Sequence, residues 1–287
     1  MNASEFHSTR QFTATPFGRI AHVERGAGLS ALFVHALPLC GFQWRETLDD
    51  LAPTRRCIAP DLMGLGYNEV KPGQDISFES QARMLAAFLD ARDIAQVDLV
   101  GNDTGGGVSQ IFAALNPDRV RTLTLTNCEV HDLWLNAMLQ QFYGALKSGI
   151  VGESFKKMAT DQAAASTMLA AVYENTAVLT PEVLDCYFRP FAESSERREL
   201  VRGFAEALKN RDQLMAVAPR LKELKVPTQV IWGEADTAFD TPASLEWLRT
   251  NLGGLRRIVT VPRAKLFWPE EHPRLLSVLL KEFWASN

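Results

Sequence analysis

The sequence predicts an α/β protein, a mostly parallel sheet covered by helices on both faces and interrupted by a helical insertion. Three observations predict it. Short, nearly continuous apolar runs alternate with helical spacing in the first and last parts of the chain. The strand signal vanishes between about residues 131 and 215 and then returns. One strand-to-helix junction, Gly101-Asn102-Asp103-Thr104-Gly105, sets a glycine two places before and two places after an acidic residue.

In order, Arg19 to Glu24 reads as an early strand and Ser30 to Val34 (SALFV) as a short apolar one. The latter runs into a loop, His35-Ala36-Leu37-Pro38. Arg56 to Pro60 is a further strand, followed by Asp61 and a glycine-spaced turn. Ser77 to Leu89 has helical spacing, and Gln96 to Val100 is a strand that meets GNDTGGG. Val108 to Leu115 reads as a helix ended by Asn116-Pro117, and Val120 to Thr126 as a strand. Strands return at Thr228 to Trp232 and Arg257 to Val261, before a last helix from about Pro273 to Trp284. The expected organisation is therefore a first core part (1–130), a helical cap (131–215) and a second core part (216–287). A cap inserted there would cover the carboxyl ends of the strands, where open α/β sheets bind ligands.

At 287 residues the chain is long enough for one large core with an insertion. Its net charge of -4 and lack of a basic block argue against a nucleic-acid partner. No apolar run reaches membrane-spanning length, and the first residues, MNASEFHSTRQ, lack the apolar centre of a signal peptide. Cys40, Cys57, Cys128 and Cys186 are scattered, with no CxxC pair. These features predict a cytoplasmic protein in a reducing compartment. No HExxH or Cys/His cluster occurs, so neither a metal nor a cofactor is expected. The sequence leaves the oligomeric state open.

The junction at 101–105 carries the chemistry. Glycines allow a tight strand-to-helix turn that lifts the middle side chain above the sheet edge. The following helix aims its free N–H groups at that side chain and favours negative charge there. A carboxylate so placed can attack a carbon electrophile and form an alkyl ester. The N–H of Thr104 and one from the His35–Pro38 loop, at Leu37, would then form an oxyanion hole. The competing reading is that Asp103 only caps the helix. Gly105, Gly106 and Gly107 do not make a nucleotide loop, since neither GxGxxG nor GK[ST] occurs.

Five segments together resemble the α/β-hydrolase family on its haloalkane dehalogenase and epoxide hydrolase side: HALP (35–38), DLMGLGYNEVKP (61–72), GNDTGG (101–106), WGEADTAFD (232–240) and PRAKLFWPEEHP (262–273). They cover almost the whole chain and imply the α/β-hydrolase fold with a helical cap. The resemblance makes Asp103 the nucleophile and Asp236 the acid that orients a base histidine. It also offers Glu129, just past the LTLT strand, for that second role. His35 matches the histidine that holds the oxyanion loop.

Several positions depart from the family pattern. Leu266 stands where the family carries its base histidine. Dehalogenases usually place a halide-holding tryptophan where this chain has Thr104, and many place an asparagine where it has Leu37. Epoxide hydrolases open the ring with cap tyrosines, for which Tyr143, Tyr173 and Tyr187 are available. His131, near the core–cap junction, is a possible replacement base, and Lys265 a possible amine nucleophile. His35, His131, Trp134, Leu266 and Phe267 are expected around an apolar pocket for a small organic molecule. The sequence thus predicts a hydrolase-type site with an incomplete triad. Either Asp103 forms an ester that is slow to hydrolyse, or the cavity binds a small molecule without chemistry.

Overall fold

The computed structural model describes every residue except Val70, which falls within the 61–72 segment. Among the described residues one sheet holds β1 (Gln11–Thr15), β2 (Gly18–Arg25), β3 (Ser30–Val34), β4 (Arg56–Pro60), β5 (Val97–Asn102), β6 (Val120–Thr126), β7 (Thr228–Gly233) and β8 (Leu255–Val261). The order is β1-β2-β4-β3-β5-β6-β7-β8. β2 pairs antiparallel with β1 and β4, and all pairings from β4 through β8 are parallel. Every residue of β3, β5 and β7 is buried, which explains their largely apolar character; the larger buried polar exceptions, Asp98, Asn102 and Gln229, are all hydrogen-bonded. β1 was not expected from the sequence, because as an edge strand it exposes most of its QFTAT side chains.

The helix after β5 begins at Thr104, not near Val108 as its composition suggests. Three consecutive glycines are poor helix formers. Here their lack of side chains is what lets the helix seat against the sheet. A Cβ on Gly105 would fall 2.1 Å from the Val34 carbonyl oxygen, and one on Gly101 would fall 2.5 Å from the Gly105 carbonyl oxygen. Between them Asp103 adopts φ 52° and ψ -131°, a conformation that L-residues avoid. The close approach of β3, β5 and the helix Thr104–Leu115 holds it there.

After β6 the chain forms helices Ala137–Ser148, Ile150–Met158, Gln162–Leu169, Pro181–Glu193 and Ser195–Val201. They lie over the ends of the strands, where Phe267 N–H donates to the Val172 carbonyl (3.0 Å) and Lys265 Nζ to that of Ala170 (2.7 Å). The next helix, Ala207–Glu223, runs unbroken through residue 215, where the sequence pattern ended the insertion. Its buried face, Leu214, Val217 and Leu221, packs on the helices Thr104–Leu115 and Phe78–Asp90. It is therefore a layer of the core, and the strand-free stretch includes it only because its spacing is helical. No helix among the described residues is long and apolar enough to cross a membrane.

A buried polar knot fastens the insertion to the core. Glu270 accepts from Arg45 Nη1 (2.5 Å) and Tyr187 Oη (2.6 Å) through one oxygen, and from Tyr173 Oη (2.5 Å) through the other. Burial and the Glu270 charge push both phenols well above their usual range. Two tyrosines of the insertion thus close on one carboxylate of the core, which is fully occupied.

Two outcomes follow from this geometry. Gly105→Ala should cost about 3 kcal/mol or more in urea unfolding, because backbone on both sides must move. Glu270→Ala should cost about 3–5 kcal/mol in the same measurement, since it leaves Arg45 buried and unpaired.

Candidate active site

The elbow raises Asp103 to the carboxyl end of β5, where its side chain is buried with 8% exposure. Leu37 N–H donates to its Oδ2 at 2.9 Å, so one oxygen already lies in an amide pocket formed by the loop after β3. Burial pushes the Asp103 carboxyl up to about 7 and the Asp236 charge adds to this, while the Thr104 and Leu37 N–H groups pull it back.

The loop that presents Leu37 is braced from three sides. Leu62 N–H donates to His35 Nε2 (2.8 Å), and His35 Nδ1 bonds the Ala36 carbonyl (2.9 Å). This fixes a neutral ring with its proton on Nδ1, and burial holds its pKa below the usual value. His35 was expected among the pocket residues, but both its nitrogens are committed to backbone. Gln43 accepts from Ala36 N–H (2.9 Å) and donates to Asn102 Oδ1 (2.7 Å). Asn102 in turn donates to the Leu266 carbonyl (3.0 Å). One relay of side-chain amides therefore ties the oxyanion loop, the elbow and the loop carrying Leu266.

Leu266 is buried, and its loop is stitched to the one after β7 by Ala235 N–H donating to the Ala264 carbonyl (3.0 Å). Asp236 sits in that second loop, accepting from Asn127 Nδ2 (2.8 Å) and Ala238 N–H (2.8 Å). Burial raises its pKa and these two donors oppose the rise. Asn127 also accepts from Gly233 N–H (2.6 Å) and Trp268 Nε1 (3.1 Å), so Asp236 hangs on a fixed support.

Glu129 enters from the end of β6, 1% exposed. Its Oε1 accepts from Thr104 Oγ1 at 3.1 Å, and its buried Oε2 has no partner among the described residues. A Cβ on Gly107 would lie 3.2 Å from Oε2 and 2.8 Å from the Phe78 ring, so the helix backbone, Glu129 and Phe78 meet here. Phe78 stacks on Trp134 (centroids 6.3 Å), which meets Tyr143 edge-on (5.6 Å). Burial and the Asp103 charge raise the Glu129 carboxyl well above its usual range, against the Thr104 bond. The buried Tyr143 phenol is raised by burial and then by the Glu129 and Asp103 charges.

The other candidates lie elsewhere. His131 pairs with Asp132 (2.6 Å) and stacks on Trp247 (5.0 Å), so its ring is engaged at the half-exposed edge and not with the carboxylates. The partly buried Lys265 caps a carbonyl of the insertion, with its Nζ 2.7 Å from the Ala170 oxygen. Phe267 is buried edge-on to Tyr173 (5.2 Å), beside the knot at Glu270. Sequence reasoning missed Gln43, Asn102 and Asn127. Asn102 had a signal in its place next to the nucleophile position, whereas Gln43 and Asn127 act only through space.

A model of the alpha/beta hydrolase fold family matches residues 32–261. A haloalkane dehalogenase of Mesorhizobium japonicum is 33% identical over 189 residues, 64% of this chain, and the match spans only 60% of that relative. Haloalkane dehalogenase 2 of Mycobacterium bovis is 26% identical over 93% of this chain and 92% of its own length. Among solved structures, the haloalkane dehalogenase DatA from Agrobacterium tumefaciens C58 superposes with a TM-score of 0.81 at 23% identity, covering 96% of each chain.

The raised Asp103 carboxyl links stability to pH. The folded chain retains a proton that the unfolded chain releases near pH 4, so stability should fall as pH rises from about 4 to about 7. Asp103→Asn removes that term and keeps an acceptor for Leu37 N–H. It should be more stable than the parent at about pH 8 by about 1–4 kcal/mol, and nearly equal to it at about pH 4, in denaturant titrations at the two pH values.

Proposed function

The chain belongs to the alpha/beta hydrolase fold family, and within it we propose that Asp103 attacks a small apolar electrophile, an epoxide or a haloalkane, to form a covalent ester. The observation that carries this reading is the Leu37 N–H bond to Asp103 Oδ2 at 2.9 Å. With one oxygen held by an amide, the other becomes the attacking atom. It forms a bond to the electrophilic carbon, and the leaving group departs with the bonding pair. The held oxygen becomes the ester carbonyl. When water adds to Cγ, negative charge develops on that oxygen, facing donors that are already in place.

The first step needs no base, but the second does. An aliphatic side chain at Leu266 cannot take a proton from water, and Asp236 has an asparagine and a backbone N–H as partners in place of an imidazole. Loss of general-base help costs roughly 10²–10⁴-fold. The reading is therefore of a site that alkylates readily and releases slowly. Buried Leu37, Trp134 and Leu266 supply an apolar surround for the organic part of the substrate.

Intact-protein mass after incubation with haloalkanes and epoxides tests this. A stable adduct mapped to Asp103, with ¹⁸O from labelled water entering that carboxylate on slow release, is the expected result. Leu266→His should speed release by roughly 10²-fold or more without slowing adduct formation. No adduct and no product in either protein would remove the covalent reading and leave a binding cavity.

A further inference from the structure

Resting on the covalent reading above, we infer that Glu129 is the proton carrier of the reaction. It protonates an oxygen leaving group as Asp103 attacks, and in place of the absent imidazole it takes a proton from water, more slowly, when the ester is broken. The substrate class is then a strained cyclic ether and not an alkyl halide.

Glu129 Oε2 is buried and has no hydrogen-bond partner among the described residues, while Oε1 is engaged by Thr104. As an anion, this side chain would leave a bare charged oxygen beside the Phe78 ring and the helix backbone at Gly107. As an acid, it presents an O–H donor at the same place. The titratable groups facing it are Asp103 on the elbow, Tyr143 on the helix Ala137–Ser148, and its neighbour Cys128, with Asp236 beyond Asp103. None of them is a cation. Two like-charged carboxylates so close share one proton, and the better-solvated partner ionises. Asp103 Oδ2 accepts the Leu37 N–H, whereas Glu129 has a hydroxyl on Oε1 and nothing on Oε2. The proton belongs on Glu129.

The leaving group follows from that proton. A halide departs as a stable anion and needs only N–H donors. The residue after the nucleophile is Thr104, whose hydroxyl is spent on Glu129. An alkoxide, by contrast, is a strong base and departs only if protonated. In the first step Asp103 forms its C–O bond, the ring C–O bond breaks, and the freed oxygen takes the Glu129 proton. The Asp103 charge is then gone, and Glu129 is left as the anion with its like-charged neighbour removed. It accepts a proton as water adds to Cγ and returns it to the departing alkoxide. Asp103 leaves as the acid, its proton passes to Glu129, and both groups are restored. The sum is ether plus water giving a diol. His35 is committed to backbone and His131 to Asp132, so neither imidazole competes for this role.

The test compares labelling by styrene oxide and by 1-bromobutane, read by quenched intact mass in the parent, Glu129→Gln, Glu129→Asp and Asp103→Asn. Glu129→Gln should slow labelling by the epoxide roughly 10²–10⁴-fold. Labelling by the bromoalkane should change only a few-fold, and its adduct should persist longer than in the parent. Glu129→Asp should recover part of the epoxide rate, and Asp103→Asn should take no label. Equal epoxide labelling in Glu129→Gln and the parent, or loss of both probes in Glu129→Gln, overturns the inference while leaving Asp103 as nucleophile. Absence of any label or diol in the parent removes the covalent reading itself.

Discussion

The site depends on one backbone constraint, the strained turn at Asp103. Its φ of 52° is held because β3, β5 and the helix Thr104–Leu115 approach too closely for side chains at the flanking glycines. That turn puts the carboxylate against Leu37 N–H, and everything else adjusts to the contact. His35 and Gln43 hold the loop that supplies the N–H. Asn102, inside the turn, reaches both Gln43 and the carbonyl of Leu266. Position 266 is thus locked by its backbone whatever its side chain, which is how a leucine can stand there without disturbing the fold.

The electrostatics are unusual in sign. Asp103, Glu129 and Asp236 are all buried, all raised by burial, and have no buried cation among them. A buried cation does exist nearby in the chain, at Arg45, but Glu270 and two phenols consume it. Two of the buried ionic groupings therefore differ in kind. One is a satisfied knot that secures the insertion. The other is an acidic cluster whose members compete for protons, the arrangement from which acid–base roles arise.

Much of this was legible in the sequence, and the pattern of what was not is physical. β3, β4 and β6 match the expected segments end to end, since each is a short run of strand-forming residues bounded by turn or helix signals. β1 escaped because an edge strand need not be apolar, and the first turn of the elbow helix escaped because its glycines suit packing over propensity. Asp103, Glu129 and Asp236 stand at the ends of three different strands, β5, β6 and β7, and the fold gathers them. His131, only two residues past Glu129, turns outward at φ 51°. Tyr173 and Tyr187 do converge, but on Glu270, a partner that no local pattern could have named. Side-chain relays such as Gln43–Asn102 join residues 59 positions apart and leave no trace in periodicity.

The continuity of the helix Ala207–Glu223 has a mechanical consequence. The insertion enters from β6 through the irregular stretch before Asn136, yet it leaves through a helix embedded against the helix that follows the nucleophile. It is tied to the core at its exit by that packed helix and at its middle by the knot at Glu270. The exit helix bears on the same helix whose first turn fixes Asp103. The insertion and the elbow thus share one footing, the helix Thr104–Leu115.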